Sequence, residues 1–477
     1  MVVINMLNFG FAIFDKSVNS VGEAAVYMAK DGDKTVIIIM GKSSAGFKAV
    51  DTGDGKFRAE LTRENAAVLR KHFPWTAPVR GLQTFQSFGL GDRLGIASAG
   101  HIDLFKSKDI FPVLVQQSIR ELKLTGRTFN DALDAATFAV FREGFKKGYG
   151  ADGDHLKTKE DVELALSAGF TMITLDCSDH IKKNTASENA ALAAALPQKY
   201  IDKYLSEEFD IEGIPLIFTR EELAVCVHIF EGVISHAEEI YNFIRDSKRE
   251  VDLEISIDET TASTTPLQHY FVARELLDSG VIFASIAPRF CGEFQKGIDY
   301  SGDKAQFEKE LNVHAAIARS LGYKLSFHSG SDKFSIFPII GKVTRGNFHI
   351  KTSGTNWLEA MRLAAVKDPS LYREIHNYAV SAFTDAKKYY HVTADVSKIP
   401  DISSVKDEDL SKLFDNNDVR QLIHITYGHI LNYKNAGGSF AFKDRLYAVW
   451  QKNEAEYRTA LVNHIGKHLE LLSASKK

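Results

Sequence analysis

A chain of 477 residues can bury one large core with additions, and 44% hydrophobic with 25% charged residues is ordinary for a soluble globular protein. A formal net charge of -4 argues against a nucleic-acid surface, which needs clustered lysine and arginine. Cys177, Cys226 and Cys291 are far apart and form no CxxC pair, which fits reduced thiols and a cytoplasmic location; no basic, apolar leader and no bilayer-length apolar run is seen.

Residues 1–80 read as a small α+β extension. Phe11-Ala-Ile-Phe14, Ala24–Met28 and Thr35–Met40 suit short strands, and Leu61–His72 suits a helix. Asp31-Gly-Asp33 and Asp51-Thr-Gly-Asp-Gly55 supply turns. Gly41-Lys-Ser43 looks like the end of a phosphate loop, but the glycine such a loop needs five positions earlier is Val36. Gly89-Leu-Gly-Asp-Arg-Leu-Gly95 sets its last glycine one position late for a dinucleotide fingerprint.

From 81 to 365 strands alternate with helices. Strands are expected at Thr84–Phe88, Phe111–Gln117, Tyr149–Asp154, Phe170–Asp176, Val251–Asp258, Val281–Ala287, Tyr323–His328 and Asn347–Thr352. Helical patterns cover Phe129–Phe145, Thr158–Ala168, Glu221–Ile244, Pro266–Asp278, Lys304–Leu321, Asp332–Thr344 and Trp357–Ala365. Gly169, Gly280 and Gly322 stand where helices should stop. Eight such units predict an α/β fold, a (β/α)8 TIM-type barrel; an open doubly wound sheet is the alternative, and the count favours closure. Residues 179–220 form an insertion after the fourth strand, helical in its alanine-rich part. Residues 366–477 carry amphipathic helices at Leu371–Lys387, Val419–Leu431 and Phe442–Leu472. These suit a C-terminal layer packed on the barrel, with a homo-oligomer contact as the other use.

The most regular stretch is Val251 to Glu259. Val251, Leu253, Ile255 and Ile257 alternate with Asp252, Glu254, Ser256 and Asp258. Alone it would suit an edge strand with one wet face. As the fifth strand of a barrel, its acids line the inner wall, with Asp252 near the floor.

A barrel of this kind places its active site at the C-terminal ends of its strands. Those ends carry Asp152, Asp154 and His155 in the third, Asp258 in the fifth, His328 in the seventh, and His349 and Lys351 in the eighth. A lone strand histidine is more often a hydrogen-bonded structural residue than a ligand. Three histidines at three strand ends point instead to a divalent metal, because neutral imidazoles with a carboxylate form an open cation site. Asp154 can serve as a base, although Asp152 and Asp154 also fit a polar Asp-Gly turn. Lys351 and Arg289 can hold a carboxylate, and a surface role suits Arg289 equally. His101 and His180 are weaker candidates.

Five segments run in order through most of the chain: Gly89-Leu-Gly-Asp-Arg93, Gly150-Ala-Asp-Gly-Asp-His-Leu-Lys-Thr158, Asp252-Leu-Glu-Ile-Ser-Ile-Asp-Glu-Thr260, Phe327-His-Ser-Gly-Ser-Asp-Lys333 and His349-Ile-Lys-Thr-Ser-Gly-Thr355. Together they resemble the bacterial tagaturonate/fructuronate epimerases of hexuronate catabolism. The resemblance implies a cytosolic, metal-dependent epimerase of keto-hexuronates without a nicotinamide cofactor; some relatives act on tagatose and fructose. The two ketoses differ at the carbon beta to the carbonyl, whose hydrogen the carbonyl does not activate. Retro-aldol cleavage, rotation of the aldehyde and re-addition is one route; direct proton removal and transient oxidation are others. The expected assignment is His155, His328 and His349 on a divalent cation (Zn, Mn, Ni or Co), with Asp154 and Glu254 exchanging protons. Asp258 is a further ligand or acid, Glu259 falls on the other parity or in the loop, and Lys351 and Arg289 contact the sugar acid. A class II-type aldolase is the rival enzyme, and a sugar-binding barrel without catalysis is the rival from another class.

Overall fold

In the computed structural model, which describes residues 12–260 and 262–473, eight parallel strands close into a barrel. They follow one another in chain order: Gln86–Leu90, Phe111–Ser118, Gly150–Leu156, Met172–Asp176, Asp252–Ile257, Ser285–Pro288, Lys324–Phe327 and Phe348–Thr352. The eighth pairs with the first through Phe348 and Gln86. The expected (β/α)8 closure is therefore what forms, each strand lying within a few residues of its expected place.

The intervening helices start and stop where local chemistry dictates. Thr158 caps Lys159–Ala168 by accepting from the Asp161 amide, and Thr265 with Gln268 forms a capping box for Pro266–Asp278. Gly169 and Gly322 close their helices at φ of 93° and 83°, a left-handed turn that costs glycine little. The helix Ser98–Phe105 was not foreseen. It is buried nearly all round, so it has no polar face to produce an amphipathic rhythm. The helix expected over 332–344 is shorter, Phe337–Val343, because Asp332 turns left-handed at φ 62°. In the insertion, the alanine-rich Asn189–Ala194 is helical as expected, and a further helix, Gln198–Tyr204, and a hairpin of Phe209–Ile211 with Ile214–Leu216 follow.

Before the barrel, Ala12–Ala59 builds an antiparallel sheet; Phe11 of the expected first strand lies outside the described residues. Asp31-Gly-Asp33 does turn the hairpin between Ala24–Asp31 and Lys34–Met40. The stretch expected as one turn at 51–55 instead divides between the strand Ala49–Gly53 and the turn leading to Lys56–Ala59. One face of this sheet shares a core with Phe138 and Phe141 of the barrel helix Phe129–Glu143.

After the barrel, the two long helical patterns each break once. Asn417–Ile425 and Tyr427–Asn432 divide at Thr426, and Lys443–Lys452 and Glu454–Ser473 divide at Asn453. The last helix lies against Ser98–Phe105 and Phe337–Val343. At Gly341 the approach is so close that a Cβ would sit 2.0 Å from the Leu472 carbonyl oxygen.

The fifth strand behaves as its alternation requires. Leu253, Ile255 and Ile257 join the core, while Asp252, Glu254 and Ser256 are buried on the barrel side. Asp252 closes the floor. Its oxygens accept from Arg80 Nε at 3.0 Å and from the Gly81 and Leu82 amides at 2.9 and 2.8 Å, which pins the linker entering the first strand. Asp252→Ala leaves two buried amides without an acceptor, each worth about 1–3 kcal/mol. Urea unfolding should show a loss of about 3 kcal/mol; a loss below about 1 kcal/mol would show that this anchor is dispensable.

Candidate active site

Strict alternation would send Asp152 and Asp154 into the barrel and His155 out of it. A bulge in the third strand changes this. Gly153 pairs with Ile173 and Leu156 with Leu175, so Asp154 and His155 together oppose Thr174. His155 takes a left-handed φ of 53°, at a cost of about 1–2 kcal/mol for a residue with a Cβ. Two adjacent side chains thereby reach the same site.

Beneath that site lies a dry layer of charge. The Lys351 ammonium is 2.8 Å from Asp152 Oδ2, 2.5 Å from Asp154 Oδ1 and 3.2 Å from Glu254 Oε1. It also donates to Thr174 Oγ1 at 2.5 Å. Burial would favour neutral lysine, but Asp152, Asp154 and Glu254 hold Lys351 well above its usual range. Burial pushes Asp152 up to about 6 against the opposing pull of Lys351. For Asp154 and Glu254 burial acts upward too, yet Lys351, with His155 for the first and His328 for the second, holds both well below the carboxylate range. Glu254 is fully engaged: Ser285 Oγ donates to Oε2 at 2.6 Å, and Oε1 faces Thr174, Lys351 and His328.

Above this layer the ligand atoms of His155, Asp258 and His328 lie within 4.8 Å of one another. Each imidazole has one nitrogen fixed by a carboxylate from below. His155 Nδ1 is 2.8 Å from Asp154 Oδ1, and His328 Nε2 is 2.8 Å from Glu254 Oε1. The other His328 nitrogen is 3.1 Å from Asp258 Oδ1, and His155 Nε2 lies 4.0 Å from Glu259 Oε1. Burial disfavours charge on His328, but Asp258 and Glu254 outweigh it and lift it to about 10. Two imidazoles, one carboxylate and a carboxylate behind each ring fit a divalent cation: the outer acid fixes the tautomer and the inner nitrogen is left as ligand.

The structure separates the expected residues into levels. His155, His328, Asp154, Asp258 and Arg289 line a cavity of about 350 Å³ at the strand ends. Glu254, Lys351 and His349 lie buried beneath it. His349 is level with Ser326 and Ser87, one inward layer below Lys351. Its Nδ1 meets Ser87 Oγ at 2.9 Å, and Lys324 Nζ donates to the same oxygen at 3.1 Å. The His349 Nε2 is buried and has no hydrogen-bond partner among the described residues. With its Nδ1 on Ser87 in that lower layer, His349 falls outside the cluster formed by His155, Asp258 and His328. His101 bonds Asn356 inside the core, and His180 stacks on His236 at 3.9 Å between centroids; neither lines the cavity. Glu259, Arg120 and Lys296 do line it, though the last two sit in stretches without periodicity and gave no signal in the sequence.

A second acid–histidine cluster, Asp332 with His464 and His468, brings ligand atoms equally close but does not fit a cation. The Asp332 amide donates to His468 Nε2 at 3.0 Å, and the Arg420 guanidinium donates to Asp332 Oδ2. His464 bridges Asp332 and Glu359, tying the last helix to the loop that follows His328. Burial lowers the affinity of His464 for its proton, but Asp332 and Glu359 prevail and raise it to about 9.

The chain matches the model of the tagaturonate epimerase family (UxaE) over residues 14–472. It is 42% identical over 475 residues to a tagaturonate/fructuronate epimerase of Thermotoga maritima, spanning 97% of both chains. The native crystal structure of the fructuronate-tagaturonate epimerase UxaE from Cohnella laeviribosi superposes with a TM-score of 0.95 at 45% identity, again over 97% of both chains. A glycerol complex of the same protein gives the same TM-score.

Two outcomes follow from the charges. Lys351→Met leaves three buried carboxylates without their cation and should cost about 3–5 kcal/mol by chemical denaturation; a loss under about 1 kcal/mol would remove Lys351 as the keystone of the layer. For His464, the folded chain keeps a proton that a free imidazole sheds near pH 6.5. Its stabilisation is complete below that pH and is lost as pH rises through about 9. Melting temperatures of His464→Gln should therefore fall less than wild type between pH 6.5 and 9, and parallel curves would exclude the effect.

Proposed function

Because the chain belongs to the tagaturonate epimerase family, we propose that it interconverts D-tagaturonate and D-fructuronate at the mouth of the barrel. The observation that carries this reading is the convergence of His155, Asp258 and His328 beside Asp154 on one cavity. His155, Asp258 and His328 would hold a divalent cation, and His349 would not. Such a cation supplies Lewis acidity to the substrate ketone.

The remaining roles fall to the chain's own groups. Asp154 Oδ1 is taken by Lys351 and His155, which leaves Oδ2 for the substrate. Asp154 accepts the proton of the hydroxyl on the carbon that is inverted. The carbon–carbon bond next to it breaks, its electron pair passing to the ketone fragment as an enediolate; the aldehyde fragment rotates, and the enediolate carbon adds to its other face to give an alkoxide of inverted configuration. Glu259, whose side chain is 44% exposed, donates a proton to that alkoxide on the opposite side, and the proton taken by Asp154 is released to solvent as Glu259 takes one up for the next turnover. Glu254 positions His328 and touches no substrate. Arg289 stays as a contact at the cavity wall. We place the enzyme in the cytosol, where its three cysteines remain the free thiols they are in this structure.

The test is to incubate purified protein with fructuronate, with and without chelator, and to follow products by NMR. Tagaturonate should form, chelation should abolish it, and a divalent ion should restore it. His328→Ala should lower turnover by at least about 1,000-fold, whereas His349→Gln should bind the cation as wild type does. Steady release of free three-carbon fragments would mark an aldolase instead, and turnover indifferent to chelation would sink the metal assignment.

A further inference from the structure

The cavity wall holds four lysine and arginine side chains, and two of them are already spent. Arg93 is buried, donates to Glu121 Oε1 at 2.9 Å and to the His424 carbonyl, and lies 3.9 Å over the Tyr427 ring. Arg289 is within 3.9 Å of Glu293. The other two are Lys296 and Arg120. Among the described residues neither has a carboxylate within ion-pair distance; Arg120 only rests over the Tyr390 ring at 4.9 Å. Burial, and then the nearby Arg120, push the Lys296 ammonium below its usual range. Lys296 is thus a half-buried ammonium beside a second cation, and Glu121 and Asp154 oppose that effect only from beyond ion-pair distance.

The backbone that carries Lys296 is nevertheless held firmly. The neighbouring Gln295 side chain accepts from the Thr393 amide at 3.0 Å, from its hydroxyl at 2.9 Å and from Gln421 at 3.0 Å. Gln421 also donates to the Lys296 carbonyl at 3.3 Å. Lys333 Nζ donates to the Gln295, Ile298 and Ser331 carbonyls at 2.9, 2.6 and 2.9 Å. A fixed backbone with a free ammonium is a preorganised anion site, since little order is lost when the anion arrives.

We infer that Lys296 and Arg120 form the subsite for the substrate's carboxylate. This rests on the proposed epimerase reading and adds to it the residues that distinguish a sugar acid from a neutral ketohexose. A carboxylate held there keeps the aldehyde fragment attached to the wall after the carbon–carbon bond opens, so that it rotates in place and does not escape. Lys351, the earlier candidate for this role, is committed to three protein carboxylates.

The test uses Lys296→Met, Arg120→Met, the double variant and Lys296→Arg, each loaded with the divalent ion and checked for fold by circular dichroism. On fructuronate each single methionine variant should lower kcat/KM at least tenfold, chiefly through KM, and the double variant at least 100-fold. Lys296→Arg should recover to within threefold of wild type, a rescue that a merely structural role would not produce. Added salt should raise KM for wild type and not for the double variant. A double variant within threefold of wild type overturns the inference, as does a Lys296→Arg variant as impaired as Lys296→Met. If the Lys296 variants fail to fold, Arg120→Met decides: an unchanged KM overturns the subsite. Wild-type protein that leaves fructuronate untouched overturns the epimerase reading, and this inference with it.

Discussion

The structure depends on one buried ammonium. Lys351 stands among Asp152, Asp154 and Glu254, contributed by the eighth, third and fifth strands, and all four side chains are nearly or wholly without solvent. Three carboxylates this close would not all ionise in a dry barrel without a cation among them. With Lys351 present, Glu254 can fix one imidazole and Asp154 the other. The orientation of both cavity histidines thus follows from a group that neither of them touches.

The second constraint is geometric. Strand alternation allows every other residue to face the barrel, yet the site uses Asp154 and His155 in succession. The bulge opposite Thr174 resolves this by spending two residues of the third strand against one of the fourth. The glycine just before it, Gly153, is needed for another reason: a Cβ there would lie 2.8 Å from the Leu156 side chain and 3.0 Å from Ala165.

Much of this was legible from the chain itself. The eight-fold rhythm located every barrel strand, and the parity of Asp252, Glu254 and Ser256 on the fifth strand was correctly read as inward. Parity alone does not give depth. His349 shares the inner face with His328 but pairs with Ser326, one inward layer lower, and ends beneath the cavity as Glu254 does; Lys351 stands a layer above His349, yet its ammonium is drawn to three buried carboxylates. Arg120 and Lys296 were invisible because a seven-residue helix, Ile119–Thr125, and a loop are too short or too irregular to show a period, and such cations acquire meaning only from their lack of an ion-pair partner. The short helix Ser98–Phe105 escaped for a related reason: a segment buried on all sides carries no contrast.

Lys333 has a wider consequence. Two of its three donated hydrogen bonds, to the Gln295 and Ile298 carbonyls, join the loop after the seventh strand to the loop that bears Lys296, while His464 ties the same region to the last helix through Asp332. Neither loop can lift away without breaking bonds that belong to the other. The wall that holds His328 and the wall that holds Lys296 therefore share one free energy of opening, and their amides should exchange hydrogen as a single cooperative unit.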